Sequence, residues 1–90
     1  MNEELKSDPK PEYFVDLAYS QELQKKYKEA NTNYKKAIIL DKNNYKATIK
    51  CAVMLANLGE GQRATKYFKH ALKIDPLSVD AHFGIGKCLQ

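Results

Sequence analysis

Ninety residues make at most one domain with a modest core, since a chain this short removes only about two-thirds of its unfolded surface from water. Apolar residues are 43% and charged residues 29% of the chain, as in an ordinary globular domain; no apolar run approaches the ~20 residues of a membrane span, and the opening MNEELKSDPKPE holds no apolar signal segment. The net charge of +4 comes from fourteen Lys and one Arg against eleven acids, and so little Arg argues against bidentate reading of bases or phosphates.

Residues 1–10 are polar and are read as a flexible N-terminal segment. Pro11 and Glu12 suit a first helical turn, where a missing N–H costs nothing and an acid meets the positive end of the helix. Phe14, Leu17, Ala18 and Leu23 begin an apolar face, and Lys25-Lys26 marks a break. Tyr27, Ala30, Tyr34, Ala37, Ile38 and Leu40 follow at helical spacing. Asp41-Lys42-Asn43-Asn44 is a polar turn in which Asn44 caps the next helix. Thr48, Cys51, Ala52, Leu55 and Leu58 form a third face, ended by Gly59 in a left-handed cap. Ala64, Phe68, Ala71, Leu72 and Ile74 form a fourth, stopped by Asp75-Pro76. Ser78 caps a fifth helix carrying Ala81, His82, Ile85, Gly86 and Leu89. The spacing predicts five helices, at about 11–24, 27–41, 45–58, 61–74 and 79–89, with loops short enough to make neighbours antiparallel.

The chain also says one thing twice. Residues 34–41 read YKKAIILD and residues 68–75 read FKHALKID, at an offset of 34. A repeating pair of helices at that period is a solenoid signature. The stretch LANLGEGQRATKYFKHALKIDP carries Leu58-Gly59-Glu60, small residues at Ala64 and Ala71, an aromatic at Phe68, and Asp75-Pro76. The same sites upstream hold Ala30, Tyr34, Ala37 and Asp41, and VDAHFGIGKCL opens a third unit with His82, Ile85 and Gly86. In these features the chain resembles the tetratricopeptide repeat over residues 11–90. It departs from that pattern at Lys42, where the family has Pro, at Thr48, where it prefers a large aromatic, and at Gly61, which is expected to loosen the start of the fourth helix. The resemblance implies an all-α superhelix with units at 11–44 and 45–78 and the first helix of a third at 79–90. It implies that the small residues let helices approach closely, that Tyr34 and Phe68 fill the space between units, and that His82 and Gly86 pack against a neighbouring helix.

In such repeats the first helix of each pair lines a concave groove. The resemblance therefore implies a protein-interaction module holding a partner peptide or helix, as part of a larger complex. The candidate contact residues are Glu12, Val15, Asp16, Tyr19 and Leu23 on the first helix. On the third helix they are Lys46, Ile49, Lys50, Val53 and Asn57, and on the fifth Asp80, Phe83, Gly84 and Lys87. Tyr19, Ile49, Val53 and Phe83 suit an apolar anchor, and Lys46 with Lys50 an acidic group. Some family members clamp the acidic tails of chaperones through five polar side chains. Val15, Tyr19, Lys50, Asp80 and Gly84 stand at those places, so no carboxylate clamp is expected. The alternative reading is a basic module that binds nucleic acid or an anionic surface through Lys28, Lys35, Lys36, Lys66, Lys69 and Lys73. A steep salt dependence distinguishes it.

Nothing in the sequence groups residues as a catalytic site does, so no enzymatic activity and no cofactor are expected. Two cysteines without a CxxC and two histidines fall short of the about four paired ligands of a zinc site. Lone thiols suit a reducing compartment, which gives a cytoplasmic expectation. The repeat pattern stops mid-unit. That favours an N-terminal piece of a longer repeat protein, or else self-association through a fifth helix whose unpartnered face carries His82, Ile85, Gly86 and Leu89, with Cys88 beside it.

Overall fold

The computed structural model describes residues 10–88. Among them are five helices and no strand: α1 (Pro11–Leu23), α2 (Tyr27–Leu40), α3 (Tyr45–Asn57), α4 (Gly61–Ile74) and α5 (Val79–Cys88). The spacing of apolar residues located each of these to within a residue. The expected end of the fifth at residue 89, and nearly all of the N-terminal segment, lie outside the described residues.

The turns are built by the same devices in each unit. After α1 the chain reverses through Lys25 at φ 65°, and after α3 through Gly59 at φ 82°. In both turns the next amide reaches back to close the helix end, Lys26 N–H to Gln21 O at 2.8 Å and Glu60 N–H to Leu55 O at 2.9 Å. After α2 and α4 the chain instead becomes extended at Asp41 and Asp75, whose carboxylates accept the amides of Asn43 and Leu77 at 3.0 and 3.1 Å. The next helix is then capped by a side chain. Asn44 Oδ1 accepts the Ala47 amide at 2.9 Å, and Ser78 Oγ the Ala81 amide at 3.1 Å. Both aspartates thus close turns.

These turns lay the helices down as antiparallel pairs, α1 on α2 and α3 on α4, with α2 against α3 and α4 against α5 across the joins. The first helices α3 and α5 also touch directly, so they run parallel along one side of an all-α superhelix. Ala18, Ala30, Ala37, Ala52, Ala64 and Ala71 are all fully buried, because a methyl is the largest group that fits where helix axes come this close. Tyr34 and Phe68 fill the volume that remains. Thr48, in the place of a large aromatic, is fully buried and returns its hydroxyl to Asn44 O at 2.9 Å. The other fully buried side chains include Met54 and Leu55 of α3, the helix packed by α2, α4 and α5 together.

Several side chains differ from expectation. Leu17, Leu23 and Leu40 are exposed, Leu23 at 67%. Among the described residues α1 is packed chiefly by α2, so its buried stripe narrows to Val15 and Ala18. On α5 the face turned to α4 and the core carries Ala81, Gly84, Ile85 and Cys88, at positions i, i+3, i+4 and i+7. His82 and Gly86 therefore fall on the other side. His82 is exposed, with Nε2 3.2 Å from Pro76 O, and Gly86 has open space around it. The glycine that a close approach requires is Gly84. The expected unpartnered face is thus divided, since Ile85 and Cys88 already pack on the core and Leu89 lies outside the described residues.

Lys25 holds the left-handed conformation that Gly59 holds one unit later, and a side chain there costs about 1–2 kcal/mol. Replacing Lys25 with Gly is expected to stabilise the fold by about 1 kcal/mol, a rise of about 4–8 °C in Tm for a domain of this size. A thermal melt followed by circular dichroism checks this; an unchanged or lower Tm contradicts it.

Candidate partner-binding groove

α3 and α5 occupy equivalent places in successive units, so Lys46, Ile49, Lys50 and Val53 correspond at the 34-residue offset to Asp80, Phe83, Gly84 and Lys87. Between them runs a groove of about 710 Å³, within the range of ligand-binding clefts. Its walls are Ile49, Lys50, Val53, Ala56 and Asn57 from α3 and Asp80, Phe83, Gly84, Lys87 and Cys88 from α5. Gly59, Gly61 and the edge of the Phe68 ring, from α4, also border it.

Phe68 packs against α5 because residue 84 has no side chain. A Cβ built on Gly84 would collide with the Phe68 ring, well inside any allowed contact. The ring, 2% exposed, occupies the space that a side chain would have taken. One unit earlier the equivalent place is filled differently. Tyr34, the counterpart of Phe68, is fully buried and donates its hydroxyl to Glu22 Oε1 at 2.9 Å. The counterpart of Gly84 is Lys50, whose Nζ lies 3.8 Å from Glu22 Oε2 and 5.4 Å from the centre of the Tyr19 ring. Burial first, then the hydrogen bond and charge of Glu22, push the Tyr34 hydroxyl far above its ordinary value, so it stays a donor.

Of the candidate residues, the structure brings Ile49, Lys50, Val53, Asn57, Asp80, Phe83, Gly84 and Lys87 to one groove. Glu12, Val15, Tyr19 and Lys46 do not line it. Val15 is 5% exposed and belongs to the core, contrary to its expected place on the open side. Ile49, at 8%, is also buried, since α3 is packed on three sides and only the edge of this side chain reaches the groove. Lys50, expected to be free beside Lys46, is half-buried and committed to Glu22. Sequence reasoning assigned Phe68 only to the space between units. The signal for its second role was the glycine standing at the place that Lys50 takes one unit earlier.

No family model matches the sequence, and no curated protein matches it. Solved structures do. An Arabidopsis OM64 tetratricopeptide domain superposes with a TM-score of 0.84 at 22% identity, over 89% of this chain and 66% of that one. The second tetratricopeptide domain of human RPAP3, determined by NMR in complex with the HSP70 peptide SGPTIEEVD, superposes with a TM-score of 0.83 at 23% identity, over 90% of this chain and 68% of that one. The chain has the tetratricopeptide-repeat fold. It spans about two-thirds of the length of each of those two domains. At the places where the resemblance put a carboxylate clamp, this repeat fold carries a buried Val15, an exposed Tyr19, a Glu22-bound Lys50, the acid Asp80 and the side-chain-free Gly84.

Among the described residues of this tetratricopeptide fold, no three His, Cys, Asp or Glu side chains come together as a metal site, and no helix is long and apolar enough to cross a membrane. Cys51 lies in the core and donates to Asn31 Oδ1 at 2.9 Å. Burial pushes its thiol up to about 11, against the smaller opposing pull of Lys35 and Arg63 and a hydrogen bond with Tyr67. Cys88 lines the groove and is half-buried. Ellman's reagent at pH 8 is therefore expected to modify Cys88 readily, while Cys51 reacts only after denaturant is added. Equal rates at the two thiols in the native chain would contradict the buried, protonated state of Cys51.

Proposed function

We propose that the chain is a protein-interaction module, a tetratricopeptide scaffold that holds a peptide or helix of a partner protein in its concave groove within a larger complex. Its organisation is two helix-pair units, 11–44 and 45–78, and the first helix of a third. The observation that carries this reading is the character of the α3/α5 groove. Its exposed apolar surface comes from Val53 and Phe83, beside the edge of the buried Ile49, and the charged Lys50, Asp80 and Lys87 line it with them. Apolar side chains with charged ones beside them are the composition of a recognition surface. It offers no nucleophile beside a base and no convergent set of titratable groups for catalysis, and we read the chain as not an enzyme. The RPAP3 domain, similar in fold, holds a peptide. The side chains at the clamp positions do not suit a terminal carboxylate, so we read the partner as something other than a chaperone tail. Because Ile85 and Cys88 pack on the core, self-association through α5 has less apolar surface to use than the sequence suggested.

Panning a random peptide phage library on the 90-residue chain tests the groove reading. Recovered peptides are expected to lose binding when Val53 is changed to Asp, an exposed groove position where the fold itself changes by no more than about 0.5 kcal/mol. The same peptides should tolerate Lys69→Glu on α4, and binding should weaken only modestly between about 50 and 300 mM salt. Loss at Lys69 with a steep salt dependence, and indifference at Val53, would favour an electrostatic surface on the second helices instead.

A further inference from the structure

We infer a second interaction surface, separate from the groove. The outward face of α2 and α4 docks on an anionic lipid bilayer, with its lysines on the headgroups and the exposed aliphatic side chains at one end set into the interface. The charge of the chain is divided between its two layers of helices. The second helices α2 and α4 hold six lysines and one arginine against a single acid, Glu29. The first helices α1, α3 and α5 hold three lysines against four acids. α2 and α4 lie side by side behind α3, since Asn31 of α2 and Tyr67 of α4 both reach the Cys51 thiol. On α4 the exposed Lys66, Lys69 and Lys73 fall at i, i+3 and i+7, one stripe along the helix. The same stripe on α2, 34 residues earlier, carries Thr32, Lys35 and Ile39, with Lys28 one turn before. No carboxylate of the described residues pairs with any of these lysines, and the one arginine, Arg63, is committed to Glu60 at 2.8 Å.

The apolar side chains decide what kind of anion fits. Among the described residues the most exposed large apolar side chains are Leu77, Ile39 and Val79, at 86, 78 and 77%. All three stand at one end of the molecule. Ile39 is in the last turn of α2, one turn beyond Lys35, and Leu77 and Val79 follow Lys73 where the chain passes from α4 to α5. The turns after α2 and after α4 adjoin, since His70 Nε2 lies 2.7 Å from Lys42 O and the hydroxyls of Tyr45 and Ser78 share a hydrogen bond. The acids of these turns, Asp41 and Asp75, are held by the amides of Asn43 and Leu77, while Lys42 is exposed between them. A nucleic acid supplies phosphates but has nothing to gain from aliphatic side chains, and its readers lean on arginine and aromatic rings. A bilayer with anionic headgroups meets both features, the lysines at its surface and the aliphatic side chains at its acyl boundary. Each lysine brought close to such a surface raises affinity about fivefold, so a stripe of them with two or three aliphatics gives reversible docking.

Co-flotation of the 90-residue chain with phosphatidylcholine vesicles, with and without about 30% phosphatidylserine, tests the proposal. The expected result is capture by the phosphatidylserine vesicles alone, falling off as salt rises from about 50 to about 300 mM. Lys66→Ala with Lys69→Ala, exposed changes to a residue that helices favour, should weaken capture by more than about tenfold. Ile39→Ser with Leu77→Ser, also exposed, should weaken it by at least about tenfold. Val53→Asp, in the groove, should leave it unchanged. No capture, or equal capture of the Lys66/Lys69 variant, would overturn the docking surface without touching the groove reading. Capture indifferent to Ile39→Ser with Leu77→Ser would overturn the bilayer as its partner, and duplex DNA bound equally well by that variant would point to a nucleic-acid backbone instead. Capture lost with Val53→Asp would place the contact in the groove and overturn a separate surface.

Discussion

Two aromatic rings wedged between pairs of helices hold this molecule in shape. Tyr34 and Phe68 stand on the second helix of each pair and project into the joint with the next. Each is tolerated there because alanines three and four residues away on its own helix let the backbones close in around it. Burying an aromatic side chain is worth about 3–5 kcal/mol against its truncation to alanine, a large share of what a fold this small has in total.

The two joints share a plan and differ in the residues that meet there. Where the following helix offers Lys50, the ring beneath it is a tyrosine whose hydroxyl, with Glu22 and Lys50, makes a polar seal. Where it offers Gly84, the ring is phenylalanine and takes the space that a side chain would have filled. The Lys50–Glu22 part of the seal adds little stability, since a partly exposed ammonium–carboxylate contact at this distance is worth at most about 1 kcal/mol. What it does is direct. It fixes Lys50 across the first joint, and the second joint is packed without a polar contact of that kind.

The repeat period, the five helices and most of the packing residues were legible in the sequence because they are set by local rules. Apolar spacing locates a helix, Gly59 and Asp75-Pro76 stop one, and Asn44 and Ser78 start the next. Lys25 was legible only as a break, since nothing in a lysine announces a left-handed turn; the comparison with Gly59, at the same place in the next unit, does. The groove was legible as a set of positions on first helices, and less so as a surface. Whether Val15 or Ile49 is open depends on how many neighbours its helix has, which periodicity alone does not record. Lys50 looked like a free charge because its partner, Glu22, comes from the preceding unit. On α5, His82 and Gly86 were placed by analogy with complete pairs, and the helix turned its Gly84 face to α4.

The second joint depends most on Phe68 and Gly84 occupying one shared space. A double-mutant cycle in chemical denaturation, with Gly84→Ala and Phe68→Leu made singly and together, measures that directly. Alanine favours a helix over glycine by about 1 kcal/mol, so any loss at Gly84 must come from the ring that the new methyl meets. Gly84→Ala is predicted to destabilise the chain by about 1–3 kcal/mol. With the smaller leucine at residue 68 that cost should fall by at least about 1 kcal/mol, a coupling expected only of residues in contact. Additive effects, or a chain stabilised by alanine at position 84 with Phe68 in place, would contradict a shared space.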